Sequence, residues 1–327
     1  MRRQVDVSNR YRFDPEASQP DERRIEQTTL DPVPDDVTDR EKKTVAREPY
    51  IAGPRLADAV NVAIALGRPL LVQGDPGAGK TQLAHAVAYA LGLPLEEMYV
   101  KSTTRAQDLL YTYDAVRRLY DAQLKPEAGG DSPAEVERYV RLEPLGRAIV
   151  RAEKGRRSVV LIDEIDKADI DFPNDLLREV DQLAFDITEL RKRHTVPSDR
   201  PDLRPIIIVT NNEEKVLPDA FLRRCVFYYI ETPTDPAALD AILSAHEIPD
   251  EQLRATAIDV LTRLRRLKLI KRPGVSELLD WAGYLHAVKT PPPEVATQAL
   301  GDLPNLGTLL KVQADLERVE TEPGPAA

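Results

Sequence analysis

A glycine-rich octapeptide carries the clearest chemical pattern in the chain. Gly74-Asp-Pro-Gly-Ala-Gly-Lys-Thr81 matches GxxxxGK[ST] at every fixed position. Backbone N–H groups can surround phosphate oxygens where no Cβ intrudes, which explains the glycines of this segment. In such a loop the lysine reaches the β- and γ-phosphates, and the hydroxyl that follows it ligates Mg²⁺. The pattern predicts a nucleoside triphosphate site with these binding residues: Gly74, Asp75, Pro76, Gly77, Ala78, Gly79, Lys80, Thr81 and Gln82.

Two adjacent acids end an apolar run further along the chain. Val159-Val-Leu-Ile-Asp-Glu164 places Asp163 and Glu164 beside a core, where bare carboxylates are costly. Consecutive strand residues point in different directions. We expect Asp163 to hold Mg²⁺ together with Thr81, and Glu164 to face the γ-phosphate and polarise the attacking water. Taken alone, acids at a strand end would serve equally well as the N-cap of a following helix.

Polar and basic residues close two later apolar runs. Asn211 and Asn212 end the run Pro205–Val209, where their amides can bind the attacking water or the γ-phosphate. Asparagine also favours turns, which is the simpler explanation. Arg223 and Arg224 precede the last run. They are either a solvated charge pair or guanidinium groups contributed to the nucleotide of a neighbouring subunit.

The elements that must position these residues alternate between strands and helices. Short apolar runs predict buried strands at Pro69–Gln73, Ser158–Ile162 and Pro205–Val209, and two further strands are predicted at Leu95–Val100 and Cys225–Ile230. A helix from Lys80 to Leu91 follows the glycine-rich loop, as in a parallel α/β sheet. From Asp235 onward the apolar period is helical only. We therefore expect a disordered arm at 1–48, an α/β nucleotide-binding domain at 49–232, a helical domain at 233–320 and a disordered tail at 321–327.

Composition limits the classes of function. The 327 residues are 42% hydrophobic and 31% charged, with a net charge of −10, which argues against a general nucleic-acid coat. Cys225 is the only cysteine, so the chain has neither an internal disulfide nor a multi-thiolate metal site. We see no apolar run long enough to span a membrane and no secretory leader. These features predict a cytoplasmic protein.

Four of these segments occur together in a known family. GDPGAGKT, VVLIDEID, IIIVTNN and LPDAFLRRC resemble, in this order and spacing, the AAA+ ATPases and most closely their MoxR-like branch. The likeness covers about residues 50–312, including the segments 272–281 and 306–311. It implies an α/β fold, with a five-stranded parallel P-loop sheet, helices on both of its faces and a small C-terminal all-α lid. It also implies ATP hydrolysis with Mg²⁺ at the subunit interfaces of a ring, usually a hexamer.

The resemblance implies a role for each matching residue. Lys80 and Thr81 correspond to Walker A, and Asp163 and Glu164 to Walker B. The first sensor is Asn211, with Asn212 as second candidate, and the arginine finger is Arg224, with Arg223 as its neighbour. The family carries an insertion and a hairpin, into whose places residues 105–145 and Leu183–Arg200 fit.

One departure from the family concerns the lid. Many relatives have a lid-helix arginine that touches the γ-phosphate, whereas the equivalent stretch here, Val275-Ser-Glu277, has none. Arg272, or Lys271 beside it, is the candidate substitute.

MoxR-like proteins resemble chaperones, which implies a protein client, with a von Willebrand factor A domain protein as one candidate. A DNA-linked AAA+ motor and a nucleotide-dependent scaffold with little hydrolysis are the alternatives. The acidic composition argues against the first, and Glu164 with its two arginines argues against the second. Nucleic acid is therefore not an expected partner.

Overall fold

The computed structural model describes residues 11–17, 21–27, 41–47, 49–124 and 136–321. The chain divides into two compact units. The first lies within Met1–Glu48, Ala52–Gln73 and Thr81–Tyr229, and the second within Pro49–Ile51, Gly74–Lys80 and Ile230–Ala327. The expected domain boundary at residue 232 is thus close to the residue where the second unit resumes. The glycine-rich loop, however, packs with the second unit.

The first unit is built on a five-stranded parallel sheet with flanking helices. Its strands are β3 (Leu70–Gly74), β4 (Leu95–Tyr99), β7 (Val159–Asp163), β10 (Ile206–Asn211) and β11 (Val226–Ile230), in the order β11-β3-β10-β7-β4. All five correspond to strands predicted from the sequence. The α/β fold class is confirmed.

Both faces of the central strands are buried. In β7 every residue is buried, and so is every residue of β10. Leu71, Ile162 and Val209 pack on one face with the helix Pro144–Glu153, while their neighbours in sequence are buried on the other. Period-2 alternation explains why continuous apolar runs form these strands.

The described helices of the first unit are α1 (Pro54–Leu66), α2 (Lys80–Leu91), α3 (Ala115–Leu124), α4 (Pro144–Glu153), α5 (Phe172–Gln182) and α6 (Asp219–Leu222). Two small antiparallel sheets accompany them. One pairs β5 (Tyr111–Tyr113) with β6 (Val140–Leu142), and the other pairs β8 (Ala184–Ile187) with β9 (Lys192–Thr195). The second pair is the hairpin predicted at Leu183–Arg200.

The N-terminal range differs from the disordered arm expected for 1–48. Within its described residues, β1 (Glu22–Gln27) pairs antiparallel with β2 (Glu41–Ala46). Phe13 and Ile25 are buried. The Phe13 backbone exchanges two hydrogen bonds with the Asn61 side chain, at 2.8 and 2.9 Å. Arg23 Nη1 donates to the carbonyls of Tyr89 and Ala90, at the end of α2. The other residues of 1–48 lie outside the described ranges.

The second unit contains the C-terminal helices. They are α7 (Pro236–Ala245), α8 (Glu251–Arg266), α9 (Val275–Ala287), α10 (Pro292–Thr297) and α11 (Gln313–Glu320). Trp281 is fully buried in their core, and its indole N–H donates to the Pro304 carbonyl at 2.8 Å. The predicted C-terminal helical region is therefore confirmed in its described residues. Of the tail expected at 321–327, only Thr321 is described.

Within the described ranges, no helix combines the length and apolar character needed to cross a membrane.

Candidate functional site

The glycine-rich loop is shaped by the positions of its glycines. Gly77 has φ of 78°, a left-handed conformation that strains other residues. Gly74 leaves no room for a side chain, because a Cβ there would lie 2.4 Å from the Ile230 carbonyl oxygen. The loop leads into α2, which begins at Lys80, so that the N–H groups of the first helical turn and the positive end of the helix dipole lie at the loop. A helix N-terminus of this kind favours anions such as phosphate.

Lys80 is the cation within the loop. It is 6% exposed, and its Nζ donates to the carbonyls of Gly74 and Asp75 at 2.7 and 2.8 Å. A buried ammonium needs such partners. These bonds hold the amine beside the loop that surrounds the expected phosphates.

Other residues of the second unit form hydrogen bonds with the glycine-rich loop or close to it. Ser276 Oγ donates to the Gly77 carbonyl at 3.2 Å, and Thr232 Oγ1 donates to Asp75 Oδ2 at 3.1 Å. Arg265 donates to the carbonyls of Pro233 and Pro273 at 2.7 and 3.1 Å. Burial lowers the pKa of the Arg265 guanidinium, and the charge of Asp75 opposes that shift. No sequence pattern indicates these contacts, three of which join residues at least 32 positions apart.

The carboxylate of Asp163 lies at the centre of a polar cluster in the first unit. Thr81 Oγ1 lies 3.1 Å from both of its oxygens. Thr210 Oγ1 donates to Asp163 Oδ1 at 2.6 Å and accepts from the Glu164 N–H at 2.8 Å. One hydroxyl on β10 therefore connects both acids that end β7. The sequence analysis assigned no role to Thr210. Its position beside two asparagines at a strand end could have indicated a place in the site.

Glu164 has a strained backbone, and each oxygen of its carboxylate accepts a hydrogen bond. Its φ of 59° and ψ of 53° lie in the left-handed region, and such strain in a residue other than glycine gathers at functional sites. Asn212 Nδ2 donates to its Oε1 at 3.0 Å, and Lys167 Nζ donates to its Oε2 at 2.5 Å. The hydrogen bond that Lys167 donates to Glu164 raises the pKa of Lys167, and the negative charge of Glu164 raises it further. The geometry thus brings Asn212 into direct contact with the acid.

Asn211, the favoured sensor candidate, has a different environment. Its Oδ1 accepts from the Glu213 N–H at 2.8 Å. Its Nδ2 is buried and has no hydrogen-bond partner among the described residues. Both asparagines thus lie where β10 ends, but Asn212 is the one that bonds Glu164.

The remaining predicted residues are on the surface. Arg224 Nε lies 3.4 Å from Asp181 Oδ2, with half of its side chain exposed, and Arg223 is exposed as well. Gln82 and Arg272 are exposed. Within the described chain, no hydrogen bond joins Arg272 or Lys271 to the glycine-rich loop. Ser276 and Glu277 approach the loop instead, since a Cβ on Gly77 would lie 3.0 Å from Ser276 Oγ and 3.6 Å from Glu277 Oε2.

The donor set at Asp163 fits Mg²⁺. Mg²⁺ prefers oxygen ligands and keeps several waters beside one or two carboxylates. Thr81 Oγ1 and the buried Asp163 carboxylate are such oxygens, held within hydrogen-bond distance of each other.

A family comparison covers most of this site. Residues 69–225 match the model described as AAA domain (dynein-related subfamily). Over this segment, which is just under half of the chain, the protein is similar to AAA domains. The matched segment contains the glycine-rich loop, Asp163, Glu164, both asparagines and both arginines, and the similarity supports a nucleotide-dependent ATPase. The match supports the resemblance to AAA+ ATPases and does not identify the MoxR-like branch. No curated protein matches the chain.

Proposed function

We propose that this protein hydrolyses ATP to ADP and phosphate, with Glu164 as the group that activates water. The observation that carries the proposal is the chain of hydrogen bonds from Thr81 through Asp163 and Thr210 to Glu164 and Asn212. These hydrogen bonds connect the expected Mg²⁺ ligands, Thr81 and Asp163, with the expected base, Glu164.

Each residue has a distinct part in this reaction. The loop N–H groups and Lys80 bind the phosphates, and Thr81 with Asp163 would hold Mg²⁺. The metal would neutralise charge on the β- and γ-phosphates. Glu164 polarises the attacking water and accepts its proton, which a carboxylate oxygen within hydrogen-bond reach can do. Asn212 orients the carboxylate through Oε1, and Asn211 supplies a buried amide as first sensor.

The test is the Glu164→Gln variant. The amide keeps the shape of the side chain but cannot accept the proton, so we expect ATP binding near the parental affinity and loss of steady-state phosphate release. Binding is measured by titration with a fluorescent ATP analogue, and turnover by phosphate release. A variant that hydrolyses ATP within a few fold of the parent would show that Glu164 is not the activating base.

We further propose that the active form is a ring, usually a hexamer, in which Arg224, with Arg223 beside it, acts on the ATP of a neighbouring subunit. The exposure of both arginines supports this, since a group that acts in trans must reach out of its own subunit. Sedimentation velocity with and without nucleotide tests the assembly. A monomer at all concentrations, with full ATPase activity, would refute it.

The MoxR-like resemblance supports a role in remodelling or activating partner proteins, with a von Willebrand factor A domain protein as candidate client, in the cytoplasm. The decisive measurement is whether the Glu164→Gln variant retains a purified candidate client in ATP and releases it in ADP. Equal retention in both nucleotides would contradict the proposed client.

A further inference from the structure

The turn after β7 and the loop after β10 are joined by a buried acid that none of the assigned roles includes. Asp166, two residues after Glu164, is 1% exposed. Its Oδ2 accepts from the N–H of Asn212 at 3.1 Å and from the N–H of Glu214 at 2.9 Å. One carboxylate oxygen therefore holds two backbone groups of the loop that carries the asparagines.

A second bond joins the same two segments. Lys215 Nζ donates to the Ala168 carbonyl at 2.7 Å. Between these attachments the loop contains Glu213 in a left-handed conformation, with φ of 65°. Such a conformation persists when its surroundings fix it, and Asp166 holds the residues on both sides of Glu213.

We propose that Asp166 is a positioning residue for Glu164. It fixes the backbone of Asn212, whose side chain then meets Glu164 Oε1 at 3.0 Å. Without Asp166 the loop would lose both charge-assisted bonds, and Glu164 would keep Lys167 as its remaining side-chain donor among those described. The inference rests on the proposed role of Glu164 in ATP hydrolysis.

The unbonded oxygen of Asp166 makes a conservative variant informative. Within the described chain, Oδ1 is buried without a hydrogen-bond partner. In Asp166→Asn the amide oxygen must replace Oδ2, because two N–H donors point at that position, and the NH₂ group takes the place of Oδ1. The acceptor at Oδ2 is kept and the charge is lost, while two N–H donors are added at the buried position of Oδ1. Asp166→Ala removes the acceptor altogether.

The experiment compares steady-state ATPase kinetics of the parent, Asp166→Ala, Asp166→Asn and Asp169→Ala. Asp169 is an exposed acid on the same turn and serves as the matched control. We expect kcat of Asp166→Ala to fall about 10–100-fold, as is typical when a residue that orients a functional group is removed. The KM for ATP should stay within about threefold, Asp166→Asn should recover most of the loss, and Asp169→Ala should match the parent.

A double-mutant cycle shows whether Asp166 acts through Asn212. We expect Asp166→Ala to reduce kcat much less in an Asn212→Ala background than in the parent. An equal reduction in both backgrounds, or kcat of Asp166→Ala within twofold of the parent, would overturn the inference. If Asp166→Ala does not fold, amide hydrogen exchange of Asn212 and Glu214 in the folded parent replaces it, and exchange of both amides at the rate of unprotected groups would overturn the inference.

These outcomes are distinct from a failure of the proposed function. If the parent does not hydrolyse ATP, or Glu164→Gln does so normally, the proposed function fails before Asp166 is tested. If Glu164→Gln is inactive and Asp166→Ala is fully active, only the inference about Asp166 fails.

Discussion

Replacing Thr210 with valine distinguishes the contribution of the hydroxyl group from that of side-chain packing. Thr210 is 1% exposed, and its Oγ1 both donates to Asp163 Oδ1 and accepts from the Glu164 N–H. Valine has nearly the same volume but can do neither. Leaving the Glu164 N–H buried without an acceptor costs about 1–3 kcal/mol, and the lost bond to a charged group contributes about 1.5–3 kcal/mol. Asp163 keeps Thr81 as a donor, which reduces the total.

We therefore expect Thr210→Val to destabilise the first unit by about 3 kcal/mol, which for a unit of this size lowers Tm by roughly 10 °C. The matched control is Thr210→Ser, which keeps Oγ1 and loses one methyl group, at a cost of about 1 kcal/mol. Tm is measured by differential scanning calorimetry, and ATPase activity is measured in parallel. Valine should also impair turnover more than serine does, because the backbone of Glu164 loses its acceptor. Two variants that melt within about 2 °C of each other would show that the hydroxyl contributes little and that packing alone explains the position.

Three further changes have defined outcomes. Lys80→Ala should abolish ATP binding in a titration, because the loop loses its charge-assisted contact with phosphate; near-parental affinity would contradict the assignment. Arg224→Ala should bind ATP and lose most hydrolysis, and mixing it with Glu164→Gln should restore part of the activity. Mixtures that stay inactive, with subunit exchange verified by labelled chains, would exclude action in trans. Burial raises the pKa of Cys225 from 9.0 to about 12, so its thiolate fraction at pH 8 falls by about three orders of magnitude. Iodoacetamide should then label the folded protein far more slowly than the unfolded chain, and equal rates would contradict a buried thiol.

The central sheet was predictable because its middle strands, β3, β7 and β10, are largely apolar runs. Val159–Asp163 and Ile206–Asn211 are buried on both faces, so their composition alone identified them. The proximity of the acids and asparagines at their ends was also predictable, because parallel strands bring their carboxyl ends to one edge of the sheet. The motif likewise identified the glycine-rich loop, whose residues depend on local geometry.

What depends on side chains far apart in sequence was not predictable. Asn212 rather than Asn211 bonds Glu164 because Glu164 adopts a left-handed conformation and Asp166 holds the following loop, and neither feature has a sequence pattern of its own. The strand Glu41–Ala46 is half charged and lacks an apolar face, so its pairing with Glu22–Gln27 gave no periodic signal.

The end of α2 indicates how much of the chain the ATPase unit requires. This helix begins at Lys80, and Arg23 donates to two carbonyls at its other end, Tyr89 and Ala90. A cation at a helix C-terminus stabilises the helix by roughly 0.3–1 kcal/mol. The matched AAA segment begins only at residue 69. A fragment cut to those limits would retain the glycine-rich loop, yet it would lack Arg23, and the Tyr89 and Ala90 carbonyls at the end of α2 would lose that donor. Truncations meant to isolate the matched AAA segment should therefore begin before Arg23.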